Sequence, residues 1–112
     1  MAREVSRGEI WQFTFAPPDK RRPVLVLTRQ DLIGRMREVT VAPITSKVRG
    51  IRSEVVVGPE VGLKATSAIN LNHVATVPAS LLQRYVGTVS PETMDTVRDA
   101  LLFALGFAAP RR

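Results

Sequence analysis

The sequence predicts a mainly β domain closed by one C-terminal helix, with five to six short strands bent into a small barrel. Three observations carry this. Residues 9–15 (EIWQFTF) alternate with a period of two, and residues 23–28 (PVLVLT) form an aliphatic run too short for a helix. From residue 90 onward, apolar side chains recur at helical spacing between a serine that can cap and a glycine that can stop.

The first strand places Trp11, Phe13 and Phe15 on one face and Ile10, Gln12 and Thr14 on the other. That spacing assigns Trp11 and Phe13 to the core rather than to base stacking. Residues 16–22 (APPDKRR) form a turn, because two prolines cannot continue a hydrogen-bonded ladder and Asp favours reversals. The run at 23–28, apolar at every position but its last, suits a central strand covered on both faces. A polar loop at 31–37 leads to a strand at 39–44 (VTVAPI), with Pro43 marking an edge or bulge, and then to a basic loop at 45–51. A fourth strand at 53–57 (SEVVV) closes at Gly58 and Pro59. In residues 67–72 (SAINLN), Ile69 and Leu71 point inward while Asn70 and Asn72 present amides, a spacing suited to a ligand. One helical turn at 78–84 and a last strand at 85–89 precede the helix. Ser90 is its N-cap, Pro91 its first residue and Glu92 complements its dipole; Met94, Val97, Leu101 and Leu105 mark the apolar face, and Gly106 ends it.

With 112 residues the chain amounts to one domain, residues 1–112, without repeat or linker. It has no cysteine, so neither disulfides nor a thiolate zinc site are available. The mixed charge of MAREVSRGEI and the shortness of the apolar stretch near residues 100–109 predict a soluble cytoplasmic protein without a membrane span. The net charge of +6 is unevenly placed: residues 20–52 hold nine basic and two acidic side chains, a local +7. Such a surface suits a polyanion, whose phosphates release counterions when Lys or Arg neutralises them.

The catalytic inventory is short. His73 is the sole histidine, no two carboxylates stand at ligand spacing, and no HExxH or glycine-rich phosphate loop occurs. These features argue against metal-dependent and P-loop chemistry, so no cofactor is expected. A phosphate-directed enzyme of this composition has to rely on arginine, hydroxyl and amide groups. RNA permits that economy, because its own 2′-hydroxyl is a nucleophile held next to phosphorus.

Five blocks, RGEIWQFTF, RRPVLVLT, VAPITS, SAINLNHVATV and YVGTVSPETMDTVRDALLFALGF, resemble the consecutive blocks of the MazF/PemK toxin family in order and spacing, from Arg7 to Phe107. The most specific pieces are the Arg-Pro pair that opens an apolar strand and the Pro-apolar-Thr-Ser that closes the next. The resemblance implies a small SH3-like barrel of the CcdB/PemK type and a symmetric homodimer. It also implies metal-independent, sequence-selective cleavage of single-stranded RNA to a 2′,3′-cyclic phosphate and a 5′-hydroxyl, and inhibition by a cognate antitoxin.

By the same resemblance Arg22 matches the family's catalytic arginine, a role that suits a planar, permanently charged fork. Thr45 matches its catalytic threonine, and Ser46 stands beside it. Lys47, Arg49 and Arg52 on the basic loop, with Lys20 and Arg21 ahead of Arg22, are candidates for phosphate contact. The chain departs from the family in two places. Its turn before Arg22 is the short APPDKR, and Asp19 is not carried over to the glutamate of the longer family loop. Where relatives commonly show Asp-Gln, this chain has Asn72 and His73. Asn70, Asn72 and His73 are therefore assigned to RNA binding; Asn72 can only hydrogen-bond, whereas an imidazole can also accept a proton.

Two other classes compete with a nuclease. A non-catalytic nucleic-acid-binding barrel requires the basic surface but not proximity of Arg22 to Thr45. A CcdB-like gyrase poison does not need the Arg-Pro and Thr-Ser blocks, and the AAPRR tail also argues against it. The expected partners are single-stranded RNA, a second copy of the chain and an antitoxin with an acidic flexible segment.

Overall fold

The computed structural model describes residues 4–107; the AAPRR tail lies outside the described residues. Seven strands, all paired antiparallel, are followed by one helix: β1 (Glu9–Thr14), β2 (Arg21–Val26), β3 (Glu38–Thr45), β4 (Glu54–Val57), β5 (Ser67–Asn70), β6 (Ala75–Pro78), β7 (Tyr85–Thr88) and α1 (Pro91–Ala104). The sheet runs β4-β5-β3-β2-β1-β7, with β6 on β3. Mainly β with one closing helix is the class the sequence predicts, and the curled sheet forms a half-barrel.

β3 organises the curl by changing partners along its length. Glu38 to Val41 pair with β6, Val41 to Pro43 with β2, and Ile44 and Thr45 with β5. A strand shared among three neighbours bends the sheet around itself. Pro43, expected to mark an edge or bulge, stands at the last rung with β2 and, on the opposite edge of β3, between the stretches paired with β6 and with β5. Its missing N–H is one fewer donor at the position where the ladder opens.

The aliphatic run of β2 is covered on both faces, as its continuity predicts. Val24 and Val26 pack with Trp11, Phe13, Val39 and Val41, while Leu25 packs with Ile10, Ile44, Ile69 and Val97 in the second core. Each such side chain contributes about 1.5–3 kcal/mol relative to exposure. The indole N–H of Trp11 donates to Glu9 Oε1 at 3.0 Å, so its polar edge is satisfied inside the core.

Three elements differ from the sequence expectation. The strand at 75–78 is additional, bringing the number to seven rather than five or six; ATVP is short and ends in proline, yet Val77 is buried against β3. β5 stops at Asn70, and Leu71–His73 form a 3-10 turn, because Asn70 Oδ1 accepts from the Asn72 N–H at 2.9 Å. β2 begins at Arg21, two residues before the expected start, since the hairpin pairs Thr14 with Arg21 and Phe13 with Arg22.

The helix follows its signals. Ser90 Oγ accepts from the Thr93 N–H at 3.0 Å, and Val97 and Ala100 are buried. At the other end Phe107 N–H donates to the Leu102 carbonyl and Gly106 N–H to that of Phe103, with Gly106 at φ +80°. This is the αL termination only glycine adopts at low cost. Leu105 falls at the C-cap and is exposed, so the buried face ends with Leu101 and Ala104. Among the described residues no helix is long and apolar enough to cross a membrane.

Candidate active site

The β2–β3 ladder ends at Val24 against Pro43. Beyond that rung the same register sets Arg22 opposite Thr45, and a cleft of ≈ 320 Å³ opens beside them. Asp19, Arg22, Pro43, Thr45, Lys47, Arg49, Glu54, Asn70 and His73 line it. A wider groove of ≈ 850 Å³ continues past the same Arg22, Thr45 and Lys47 and adds Lys20, Arg21, Ser46, Lys64 and Arg84. Among the described residues no carboxylate lines this second groove, so the two depressions meet at a shared cationic centre.

Arg22 is three-quarters buried, and its guanidinium is only partly engaged. Nη2 donates to Asp19 Oδ1 at 2.6 Å, whereas the buried Nε–H has no hydrogen-bond partner among the described residues. A buried cationic donor without an acceptor is costly. The tight hairpin, closed by Phe15 N–H to the Lys20 carbonyl, brings Asp19 alongside. The Arg22 guanidinium, helped by the Lys20 backbone N–H, holds the Asp19 carboxyl below the usual carboxylate range.

Thr45 is oriented by its own turn. Its Oγ1 accepts from the Lys47 N–H at 3.1 Å and keeps its own hydrogen available to donate. Glu54, on β4 opposite Asn70, accepts from the Arg49 and Gly50 N–H groups at 3.0 and 3.1 Å. That carboxylate ties down the basic loop carrying Lys47 and Arg49. Asn70 and His73 meet at the far side of the cleft, Nδ2 to Nδ1 at 2.8 Å.

The structure therefore gathers nine of the eleven residues singled out from sequence. Arg22, Thr45 and Lys47 stand at the junction; Arg49, Asn70 and His73 line the cleft; Lys20, Arg21 and Ser46 line the groove. Asn72 and Arg52 line neither. The Asn72 amide turns to the Ser53 hydroxyl, and the Arg52 guanidinium lies 4.3 Å over the Phe103 ring. Sequence reasoning missed Asp19, Glu54, Lys64 and Arg84 as lining residues. The last two lie outside the segment of concentrated charge and reach the groove only through folding. No group of three or more His, Cys, Asp or Glu capable of holding a metal occurs among the described residues.

The chain is similar to known proteins over most of its length. A family model described as PemK-like, MazF-like toxin of type II toxin-antitoxin system matches residues 6–105. The "Probable endoribonuclease MazF5" of Mycobacterium tuberculosis is 38% identical over 101 residues, 89% of this chain and 92% of the relative. "Endoribonuclease MazF3" of the same species is 44% identical over 69 residues, covering 62% of this chain and 67% of the relative. Among solved structures, the Mycobacterium tuberculosis toxin MazF-mt6 superposes with a TM-score of 0.83 at 33% identity, over 90% of this chain and 99% of that one. A mycobacterial endoribonuclease in complex with its cognate antitoxin gives 0.81 at 25% identity, over 95% and 99%.

Proposed function

The chain belongs to the PemK-like, MazF-like family of type II toxin–antitoxin toxins, and from that premise we propose that it is a metal-independent endoribonuclease acting on single-stranded RNA in the cytoplasm. The observation that carries this reading is the buried Nε–H of Arg22, without a partner among the described residues, in the cleft that the Thr45 side chain also lines. In a merely nucleic-acid-binding barrel these two residues have no reason to share a cleft.

The scissile phosphate sits at the junction of cleft and groove. Arg22 grips its non-bridging oxygens, Thr45 donates to one of them, and Lys47 adds positive charge. The 2′-oxygen then attacks phosphorus, giving up its proton, and the P–O5′ bond breaks. The products are a 2′,3′-cyclic phosphate and a 5′-hydroxyl, whose oxygen has gained a proton. The protein contributes placement and charge stabilisation, and the RNA contributes the nucleophile. Flanking nucleotides follow the cations of the groove, Lys20, Arg21, Lys64 and Arg84, and the polar wall formed by Arg49, Asn70 and His73.

Two partners complete the reading. A second copy covers apolar side chains that this chain leaves exposed, among them Val56 on edge strand β4 and Leu102, Phe103 and Leu105 at the end of α1. An antitoxin lays an acidic flexible segment along the groove and pairs with Arg22, Lys47 and Arg49. A structural relative is an endoribonuclease in complex with its cognate antitoxin, which supports the second partner. Incubation with a long unstructured RNA in excess EDTA tests the activity: defined cuts support it, and intact RNA contradicts it.

A further inference from the structure

His73 lines the cleft with a ring whose two nitrogens can each be a hydrogen-bond donor or acceptor. Its surroundings decide between the two. Asn70 Oδ1 accepts from the backbone N–H of Asn72 at 2.9 Å, and a backbone N–H can only donate. The Asn70 amide is thereby oriented, so the atom 2.8 Å from His73 Nδ1 is Nδ2, also a donor. Nδ1 must then be the acceptor, and in the neutral ring the hydrogen resides on Nε2. The ring's one lone pair is occupied by Asn70. What the residue has left to offer the cleft, which it lines together with Arg22 and Thr45, is an N–H.

We propose that His73 is a fixed hydrogen-bond donor, through Nε2, to a phosphate oxygen of the bound RNA, with Asn70 as the positioning residue that sets its tautomer. This deepens the proposed ribonuclease reading and rests on it. It also removes His73 from the search for the group that takes the 2′-hydroxyl proton. The arrangement is a local product of sequence: Asn70 ends β5, its side chain caps the following turn, and that turn returns His73 three residues later to the same amide. Asn72, standing between them, is drawn to Ser53 and does not compete for the ring.

The test has a spectroscopic arm and a kinetic arm. His73 is the sole histidine, so isotope-labelled protein above neutral pH gives a single imidazole spin system. Hydrogen on Nε2 and a bare Nδ1 are expected; hydrogen on Nδ1 overturns the proposal whether or not the protein cuts RNA. Adding an RNA oligonucleotide blocked by one 2′-deoxy substitution at a mapped cut site should shift the Nε2–H resonance, and an unmoved resonance overturns the proposal. In kinetics, His73→Gln restores an N–H at the position of Nε2, whereas His73→Asn restores only an acceptor at the position of Nδ1. H73Q should hold kcat/KM within about threefold of wild type with an unchanged pH profile. H73N and H73A should lose about tenfold or more, the scale of one hydrogen bond to a charged acceptor. Rescue by H73N but not by H73Q makes the residue a prop for Asn70. A large equal loss in all three, with a changed pH profile, makes it the base. Either result overturns the donor. Absence of cleavage by wild type contradicts the proposed activity instead, and the spectroscopic arm still decides the tautomer.

Discussion

Arg22 on β2 and Thr45 on β3 line one cleft, each two residues beyond the last rung of their ladder, Val24 against Pro43. Two strands that stay paired hold the backbone rigid up to that rung, and their separation beyond it leaves room for a ligand between a guanidinium and a hydroxyl. Catalytic groups on strand ends are held more firmly than groups on loops.

Arg22→Ala should lower kcat/KM by on the order of 10²–10³, the loss expected for one charge-stabilising donor. Thermal stability should change little, because the variant loses one ion pair to a well-exposed Asp19 and an Nε–H that has no partner among the described residues. Arg22→Lys should remain well below wild type, since an ammonium has neither the Nε–H nor the fork. Unchanged turnover in R22A, measured on the same RNA, would remove Arg22 from the site.

Asp19 competes with the substrate for Arg22 Nη2. Asp19→Ala should therefore lower KM by a few-fold and leave kcat within about threefold, because a carboxylate held below its usual range is a weak base. A large fall in kcat would make Asp19 the proton acceptor. The pH dependence has a definite sign. A depressed folded-state pKa gives stability that is present above the ordinary value of 3.8 and is lost as pH falls through the folded value. The stability difference between wild type and D19A, followed by denaturant titration, should be constant at neutral pH and shrink only as pH falls below the ordinary value of 3.8 towards the lowered folded value.

Charge reversal at Lys47 and Arg49 together should weaken RNA and antitoxin in parallel, since both partners meet the same cations. RNA affinity should also fall steeply with salt, by an amount set by the phosphates neutralised. Titrations with each partner at two ionic strengths check this. If neither affinity fell, the basic loop would be only a solvated face.

Gly87 on β7 lies against the carbonyl of Val61: a Cβ built there would stand 2.0 Å from that oxygen. Gly87→Ala should cost about 1–3 kcal/mol or more, lowering Tm by about 4–8 °C per kcal/mol. Gly34→Ala meets nothing within 4 Å and should cost less, through its left-handed backbone alone. Equal melting temperatures for the two variants would show that the close approach is not rigid.

The parts of this structure legible in the sequence are those set by local physics. Period two in β1, the aliphatic run of β2, and the Ser90 cap with its Gly106 stop each depend on a few neighbouring residues, and each appears as expected. What was not legible depends on partners distant in the chain. Strand β6 exists because β3 has a free edge from Glu38 to Val41. Lys64 and Arg84 join the groove because the sheet curls. Asn72 was assigned to the ligand by alternation, but the cap made by Asn70 ends the strand and turns its amide to Ser53. Family resemblance singled out Arg22 and Thr45, whereas the Arg22 Nε–H without a partner among the described residues and the bond from Lys47 N–H to Thr45 Oγ1 are visible only in three dimensions.

The central claim is that the RNA supplies its own nucleophile while Arg22 and Thr45 stabilise the phosphate. The most direct measurement maps one cut site and then compares the parent oligonucleotide, in EDTA, with a copy carrying a single 2′-deoxy substitution at that site. The account predicts a cyclic phosphate and a 5′-hydroxyl from the parent and no cleavage of the deoxy copy at that bond. Cleavage of the deoxy copy there, or loss of parent cleavage on chelation, would contradict it.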